Sequence, residues 1–341
     1  MKKYLFLLFA TAQVTVLFAQ KSDETPYITK SFSEASIKKI EAQTSGGNIS
    51  VESVSSNPHI EVYVRDNQGK VLSKDELAER LKNYDLTVDA SSGKLTAKAE
   101  SKERNMNWKK SLSISFKIYS LKAVSTDLST SGGNITLNDL DGDQKFATSG
   151  GNLVLDKLSG DIDGSTSGGN ISISHSNDNI ELSTSGGNVD ASDCSGKLNI
   201  ATSGGNLHLN NLKGNIKAGT SGGNIHGDNI EGSLSTHTSG GNINLDHIAA
   251  TLETGTSGGS ISINIIKLGD YVRVSNSGGN IDLQLPKGQG LDLHLEGDKV
   301  KTTSLTNFSG SVEDDKVDGK MNGGGTSVVV KTSGRVNVSL Q

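Results

Sequence analysis

From Thr130 onward apolar and polar residues alternate over short stretches, and the alternation restarts every 18 residues. TSGG marks each restart, at Thr130, Thr148, Thr166, Thr184, Thr202, Thr220, Thr238 and Thr256. Numbering each unit from its Thr sorts the residues into columns. Position 6 holds Ile135, Leu153, Ile171, Val189, Leu207, Ile225, Ile243 and Ile261, and position 8 holds Leu137, Leu155, Ile173, Ala191, Leu209, Gly227, Leu245 and Ile263. Position 11 carries Leu140, Leu158, Leu212, Ile230, Ile248 and Ile266, and position 15 carries Ile162, Ile180, Leu198, Ile216, Leu234 and Leu252. These four columns are expected to point inward. Position 16, with Lys145, Asp163, Glu181, Asn199, Lys217, Ser235 and Glu253, is expected to face water. Alternation this short, broken by Gly-Gly at positions 3 and 4 and often by Gly at 13, describes short strands joined by tight corners.

An 18-residue unit is too short to be a domain, and its few aliphatic residues cannot offset the backbone entropy of ordering it. Stability has to come from stacking identical units. The fold class expected is therefore all-β: a parallel β-solenoid of 18-residue coils. Successive coils would rise by about 4.8 Å, so eight make a rod roughly 40 Å long. Pro is absent from Leu121 through Leu285, as expected where each coil donates its N–H groups to a neighbour. Asn at position 5 (Asn134, Asn152, Asn170, Asn188, Asn206, Asn224, Asn242) forms a further column. Asn there is expected to take a left-handed corner and to bond through its amide to the Asn above and below.

A first TSGGN copy stands at Thr44 to Asn48, followed by Ile49, Val51 and Val54, so the array begins before the regular repeats. Strand-like runs follow at His59 to Arg65, Tyr84 to Ala90, Lys94 to Ala99 and Leu112 to Tyr119. One short helix is expected from Lys74 to about Lys82: Ser73 and Glu76 make a capping box, and Leu77 and Leu81 share a face. It is expected to cover an end or edge of the array. After the repeats, Asn276 to Asn280 continues the pattern at a spacing of 20, and Gly323 to Val338 closes the chain. The organisation expected is a signal peptide over 1–19, N-terminal coils and a capping region over 20–129, regular repeats over 130–285, and C-terminal coils and a cap over 286–341.

The signal peptide is read from Lys2 and Lys3, the apolar run Tyr4 to Phe18, and a small residue, Ala19, before a polar stretch. No Cys follows that run to carry a lipid anchor, and no later segment approaches the ~20 apolar residues of a membrane helix. The expected product is exported, to the periplasm or the cell surface, without membrane insertion. With 33 Lys+Arg against 38 Asp+Glu, the net charge of -5 is slight and mixed, and gives no sign of a nucleic-acid partner. The single Cys194 forms no intramolecular disulfide and falls in column 11, where a small buried hydrophobe is expected rather than a reactive thiol.

The early SGGNI coil, the run SLSISFKI from Ser111 to Ile118, the tandem SGGNI coils and the closing MNGGGTSVVVKTSGRVNV resemble one known arrangement. It is that of secreted bacterial β-strand-repeat proteins, a family of unknown function that carries the provisional name adhesin. The resemblance covers nearly the whole mature chain and departs from it at Tyr119-Ser120-Leu121, where many members place a Pro. It implies a right-handed parallel β-helix and carries over no catalytic residue.

Seven His are present: His59, His175, His208, His226, His237, His247 and His294. Stacking places Asp190, His208 and His226 in one outward column at position 7, a donor set suited to a transition metal. A solvated ladder face is the plainer reading, because the same column also holds Thr136, Val154 and Ser172. Calcium repeats of the nonapeptide type need an Asp that SGGNI lacks. Asp156, Asp228 and Asp246 at position 9 are paired only once, and no long loop interrupts the repeats to build the cleft of a polysaccharide lyase or hydrolase. Trp108 lies among Lys102, Arg104, Lys109 and Lys110 in an expected loop whose chemistry suits gripping a sugar or a partner, and a solvated hairpin tip is the plainer reading. The sequons at Asn48, Asn134 and Asn170 are products of the repeat.

No residue is therefore assigned a catalytic, cofactor-binding or metal role, and no cofactor is expected. The function expected is that of a non-catalytic, adhesin-like or scaffold protein at the bacterial cell envelope, meeting an envelope protein or a glycan. The alternative is a polysaccharide-binding or polysaccharide-cleaving protein.

Overall fold

The computed structural model describes residues 25–32, 37–103 and 111–341. Within them the fold is all-β apart from one helix, and the 27 strands join one large open sheet. Through the repeats the strands pair in parallel, each residue opposite its equivalent in the next unit. Gln144 faces Ile162 and Thr148 faces Thr166, and the same offset persists to Leu234 opposite Leu252 and Thr238 opposite Thr256. Columns 6, 8 and 15 are buried as the alternation predicts, with Ile216 and Leu252 among the core residues, while Lys217 and Glu253 at position 16 are exposed.

Column 11 is inward up to Ile248, but Ile266 is 50% exposed and Ile265 takes its place opposite Ile248. Register shifts between Leu245 and Leu252 absorb the change to a 20-residue spacing. The expected inward position of Ile266 is thus corrected by one residue, because a strand slipped by one turns its side chains to the other face.

Two further columns are inward. Position 17 buries Phe146, Leu182, Ile200, Ala218, Thr236 and Thr254. Its Gly164 makes room for Phe146, whose Cε2 lies 2.1 Å from where a Cβ would stand. Position 1, the Thr of every TSGG, is also buried. Its hydroxyl is satisfied on both sides: Thr202 Oγ1 donates to Gly187 O of the preceding unit at 2.8 Å and accepts from Gly205 N–H at 3.2 Å. The same pair of bonds recurs at Thr148, Thr166, Thr184, Thr220, Thr238 and Thr256. A buried hydroxyl costs free energy unless it is bonded, and here it ties two units together.

The Asn column differs from expectation in its chemistry. Asn206 N–H donates to Asn188 Oδ1 at 2.8 Å, so the ladder joins backbone to side chain rather than amide to amide. The left-handed corner lies at position 10 instead, at Asp139, Lys157, His175, Asp193, Asn211, Asn229 and His247, with φ between 49° and 55°. A second corner uses Gly at position 13, for example Gly160 at φ 106°.

The ends are built by chain reversal. Lys39–Thr44 lies parallel between Ser125–Thr130 and Lys94–Ser101, and Ile49–Ser53 lies parallel between Ile135–Asp141 and Leu112–Ser120. Beyond them His59–Asp66 pairs antiparallel with Leu112–Ser120, and Tyr84–Ser91 with Lys94–Ser101. The helix Lys74–Leu81 begins where expected, with Ser73 Oγ accepting from Glu76 N–H at 3.3 Å, and rests Leu77 and Leu81 on the core. At the other end Thr326–Thr332 and Arg335–Leu340 pair with Ile261–Asn276 and Ile281–Leu285. The last segment of the chain is therefore not outermost: Leu291–Glu296 and Lys299–Thr302 pair on its far side, followed by antiparallel Lys316–Met321 and Phe308–Val312.

Candidate functional site

The outward columns at positions 7, 9 and 10 share one face and carry four of the five imidazoles of the repeats, His175, His208, His226 and His247, beside several carboxylates. At position 7 His208 Nδ1 lies 2.6 Å from Asp190 Oδ1, and the His208 and His226 rings meet edge-on with centroids 6.4 Å apart. The expected column is therefore formed, but as one pair plus a neighbouring ring. Position 10 adds what parity did not reveal: its left-handed backbone swings the side chain back toward position 9 of the preceding unit. His175 Nδ1 meets Asp156 Oδ1 at 2.8 Å, and His247 Nδ1 meets Asp228 Oδ1 at 2.8 Å.

Around His247 a second carboxylate joins. Asp246 Oδ2 is 3.4 Å from His247 Nδ1, and Asp246 Oδ1 accepts from His247 N–H at 2.9 Å and from Asn264 Nδ2 at 2.7 Å. The hydrogen bond to Asp228, then the charge of Asp246, raise the His247 pKa above its usual value. The Asn264 hydrogen bond, with the backbone bond from His247, holds Asp246 below the usual carboxylate range. One ligand atom from each of Asp228, Asp246 and His247 falls within 4.8 Å of the others. A trough of about 530 Å³ opens beside them, lined by His226, Asn244, Asp246, Ser262 and Asn264. Alternation gives Asp228 and Asp246 no role and does not place His247; the signal in the sequence is the Asp-His dipeptide one repeat after His226-Gly227-Asp228.

A second concavity, of about 450 Å³, lies at the N-terminal end among Asn48, Ser50, Tyr63, Arg65, Ser115 and Lys117. Lys117 Nζ stands 4.5 Å from the Tyr63 ring centroid, and His59 stacks on Tyr119 at 4.5 Å. The alternation in HIEVYVRD, which sends His59, Glu61, Tyr63 and Arg65 to one face, signals this surface. Cys194 is buried, bonded to Ser192 O at 3.1 Å, and desolvation pushes its thiol up to about 11. Trp108, Arg104, Lys109 and Lys110 lie outside the described residues, as does the signal-peptide segment. Among the described residues no helix is long and apolar enough to cross a membrane.

No family model and no curated protein matches the chain. Among solved structures it is similar to a protein from Bacteroides fragilis NCTC 9343 provisionally named an adhesin, at 17% identity over 74% of this chain and 95% of that one, with a TM-score of 0.36. A provisionally named lipid binding protein from Parabacteroides distasonis ATCC 8503 is 14% identical over the same shares, with a TM-score of 0.37. A provisionally named cell adhesion protein from Clostridium sporogenes ATCC 15579 is 11% identical over 93% of this chain and all of that one, with a TM-score of 0.19.

Proposed function

We propose that this chain is an exported, non-catalytic β-solenoid of 18-residue coils, right-handed as its resemblance implies, serving as an adhesin-like or scaffold surface at the bacterial cell envelope. In this reading residues 1–19 direct export, 20–129 and 286–341 build end coils and caps, and 130–285 form the regular body. The supporting observation is the pairing of each unit with the next at one fixed offset, which leaves outward columns of mostly short side chains at even spacing. Such a face meets a repetitive or extended partner, an envelope protein or a glycan, without enclosing it. Its His–Asp pairs are about half exposed, so water screens them, and an active site needs an enclosed, oriented constellation.

Cell fractionation tests location: the processed protein is expected outside the cytoplasm, and retention of unprocessed protein in the cytoplasm would refute export. A polysaccharide-degradation screen tests catalysis. Replacing Asp190, His208, His226, Asp228 and Asp246 together by Asn or Gln is expected to remove no turnover; any turnover abolished by that set would overturn the non-catalytic reading. A second reading, polysaccharide binding, is favoured by the groove holding Tyr63, Arg65 and Lys117, since aromatic and cationic side chains over small polar residues suit sugars. Glycan arrays with wild-type and Tyr63→Ala protein separate it from the first.

A further inference from the structure

We infer that Asp228, Asp246 and His247 bind one divalent transition-metal ion, Zn2+ or a similar borderline cation, and that the ion pins two adjacent repeats together. Asp228 belongs to one repeat and Asp246-His247 to the next, and the two are paired directly, Asp228 opposite Asp246. Both carboxylates approach the same imidazole nitrogen, at 2.8 and 3.4 Å, and one donor atom from each of the three residues lies within 4.8 Å of the others.

The other imidazole–carboxylate contacts of this face lack that convergence. Asp156 meets His175 at Nδ1, whereas Asp193 lies 3.9 Å from Nε2, on the opposite edge of the ring. His208 meets Asp190 alone among the ion pairs of its column. The chemistry of the donors sets the ion class. One imidazole nitrogen with two carboxylates suits Zn2+ and its first-row neighbours, whereas Ca2+ and Mg2+ prefer all-oxygen shells. Asn264 Nδ2, 2.7 Å from Asp246 Oδ1, holds that carboxylate in place as outer partners of metal ligands do. The open trough beside Asp246 leaves the remaining positions of the ion to water.

The repeat itself supplies conservative variants. Position 10 carries Asn at Asn211 and Asn229, also left-handed, and position 9 carries Asn at Asn210 and Asn264, so His247→Asn, Asp228→Asn and Asp246→Asn place residues the fold already accepts. Untagged, chelator-treated mature protein is titrated with Zn2+ by calorimetry, with circular dichroism checking that each variant keeps the wild-type spectrum. One saturable site per chain is expected, with no competition from Ca2+. Each of the three variants is expected to weaken it by roughly tenfold or more, since outer partners alone can cost that much. His175→Asn is expected to leave affinity unchanged. Zn2+ should also raise the unfolding temperature of the wild type and not of His247→Asn, because an ion held only by the folded state stabilises it. Absence of saturable binding, binding untouched in all three variants, or an equal loss in His175→Asn would overturn the assignment. None of these outcomes depends on whether the surface acts as an adhesin.

Discussion

Gly204 and Gly205 are neighbours in one TSGG turn, yet alanine at the two positions should have opposite consequences. A Cβ on Gly205 would lie 1.9 Å from Gly187 O and 2.4 Å from Gly187 C of the preceding repeat, backbone atoms that cannot rotate away. Ordinary contact would require the two repeats to part by more than an ångström at the very place where Thr202 Oγ1 donates to Gly187 O at 2.8 Å and accepts from Gly205 N–H at 3.2 Å. Overpacking alone costs about 1–3 kcal/mol, and each of the two hydrogen bonds contributes about 1 kcal/mol net. Gly205→Ala should therefore destabilise by about 3–5 kcal/mol. At Gly204 the nearest atom is Ser185 O, 3.6 Å from the built Cβ, which is ordinary contact. Gly204→Ala should be neutral or stabilise by up to about 1 kcal/mol, because alanine narrows the unfolded ensemble. Urea unfolding monitored by circular dichroism gives both values from midpoint shifts at constant slope. Equal effects of the two substitutions, or a silent Gly205→Ala, would refute close backbone approach as the reason for the second glycine.

The inward and outward columns predict that Ile216→Asp, which puts an unpaired carboxylate in the core, destabilises by about 3–5 kcal/mol, while the adjacent exposed Lys217→Asp changes stability little; equal losses in denaturant titrations would show the facing to be wrong. Cys194 should resist thiol reagents in the folded protein. With its pKa raised to about 11, only about one thiol in a thousand is ionised at pH 8, and burial blocks access as well, so labelling should appear only on adding denaturant; rapid labelling without it would contradict the buried placement.

The sequence showed what obeys a period. Columns 6, 8 and 15 were legible because strand alternation and the repeat length agree at Ile225, Gly227 and Leu234, even with a glycine in the middle. Column 17 was hidden by its own variety, since Phe146, Gly164, Leu182 and Thr236 share a face without sharing hydropathy. Phe146 there is balanced by Gly164 in the next repeat, while Leu182 is followed by Ile200, so no single residue size marks the column. The Thr of TSGG reads as part of a turn, and only its two hydrogen bonds show why a hydroxyl belongs in the core. Likewise propensity alone puts the left-handed corner at Asn in position 5. It falls at position 10, where Lys157 and His175 adopt it as readily as Asn211, because pairing with the repeats on either side outweighs local preference.

That same corner explains why the candidate site escaped a reading by parity. A side chain at a left-handed residue belongs to neither face of the strand, so no alternation rule predicts where His247 points. The interior meanwhile places few demands on the outside. Thr, the second Gly and Asn bond each turn to the one before it, so positions 7, 9 and 10 can change without loosening the stack, and they do, from Thr136 and Asn138 in one repeat to His226 and Asp228 in another. The ends face the opposite demand. A stack of parallel strands would leave a row of unpaired N–H and C=O groups open to another copy. Here antiparallel strands are added at both ends, and one edge strand at the N-terminal side, Tyr84–Ser91, carries Asp85 and Asp89 among its exposed residues. Charge on an edge strand opposes further pairing, so Asp85 and Asp89 work against the addition of another strand at that edge.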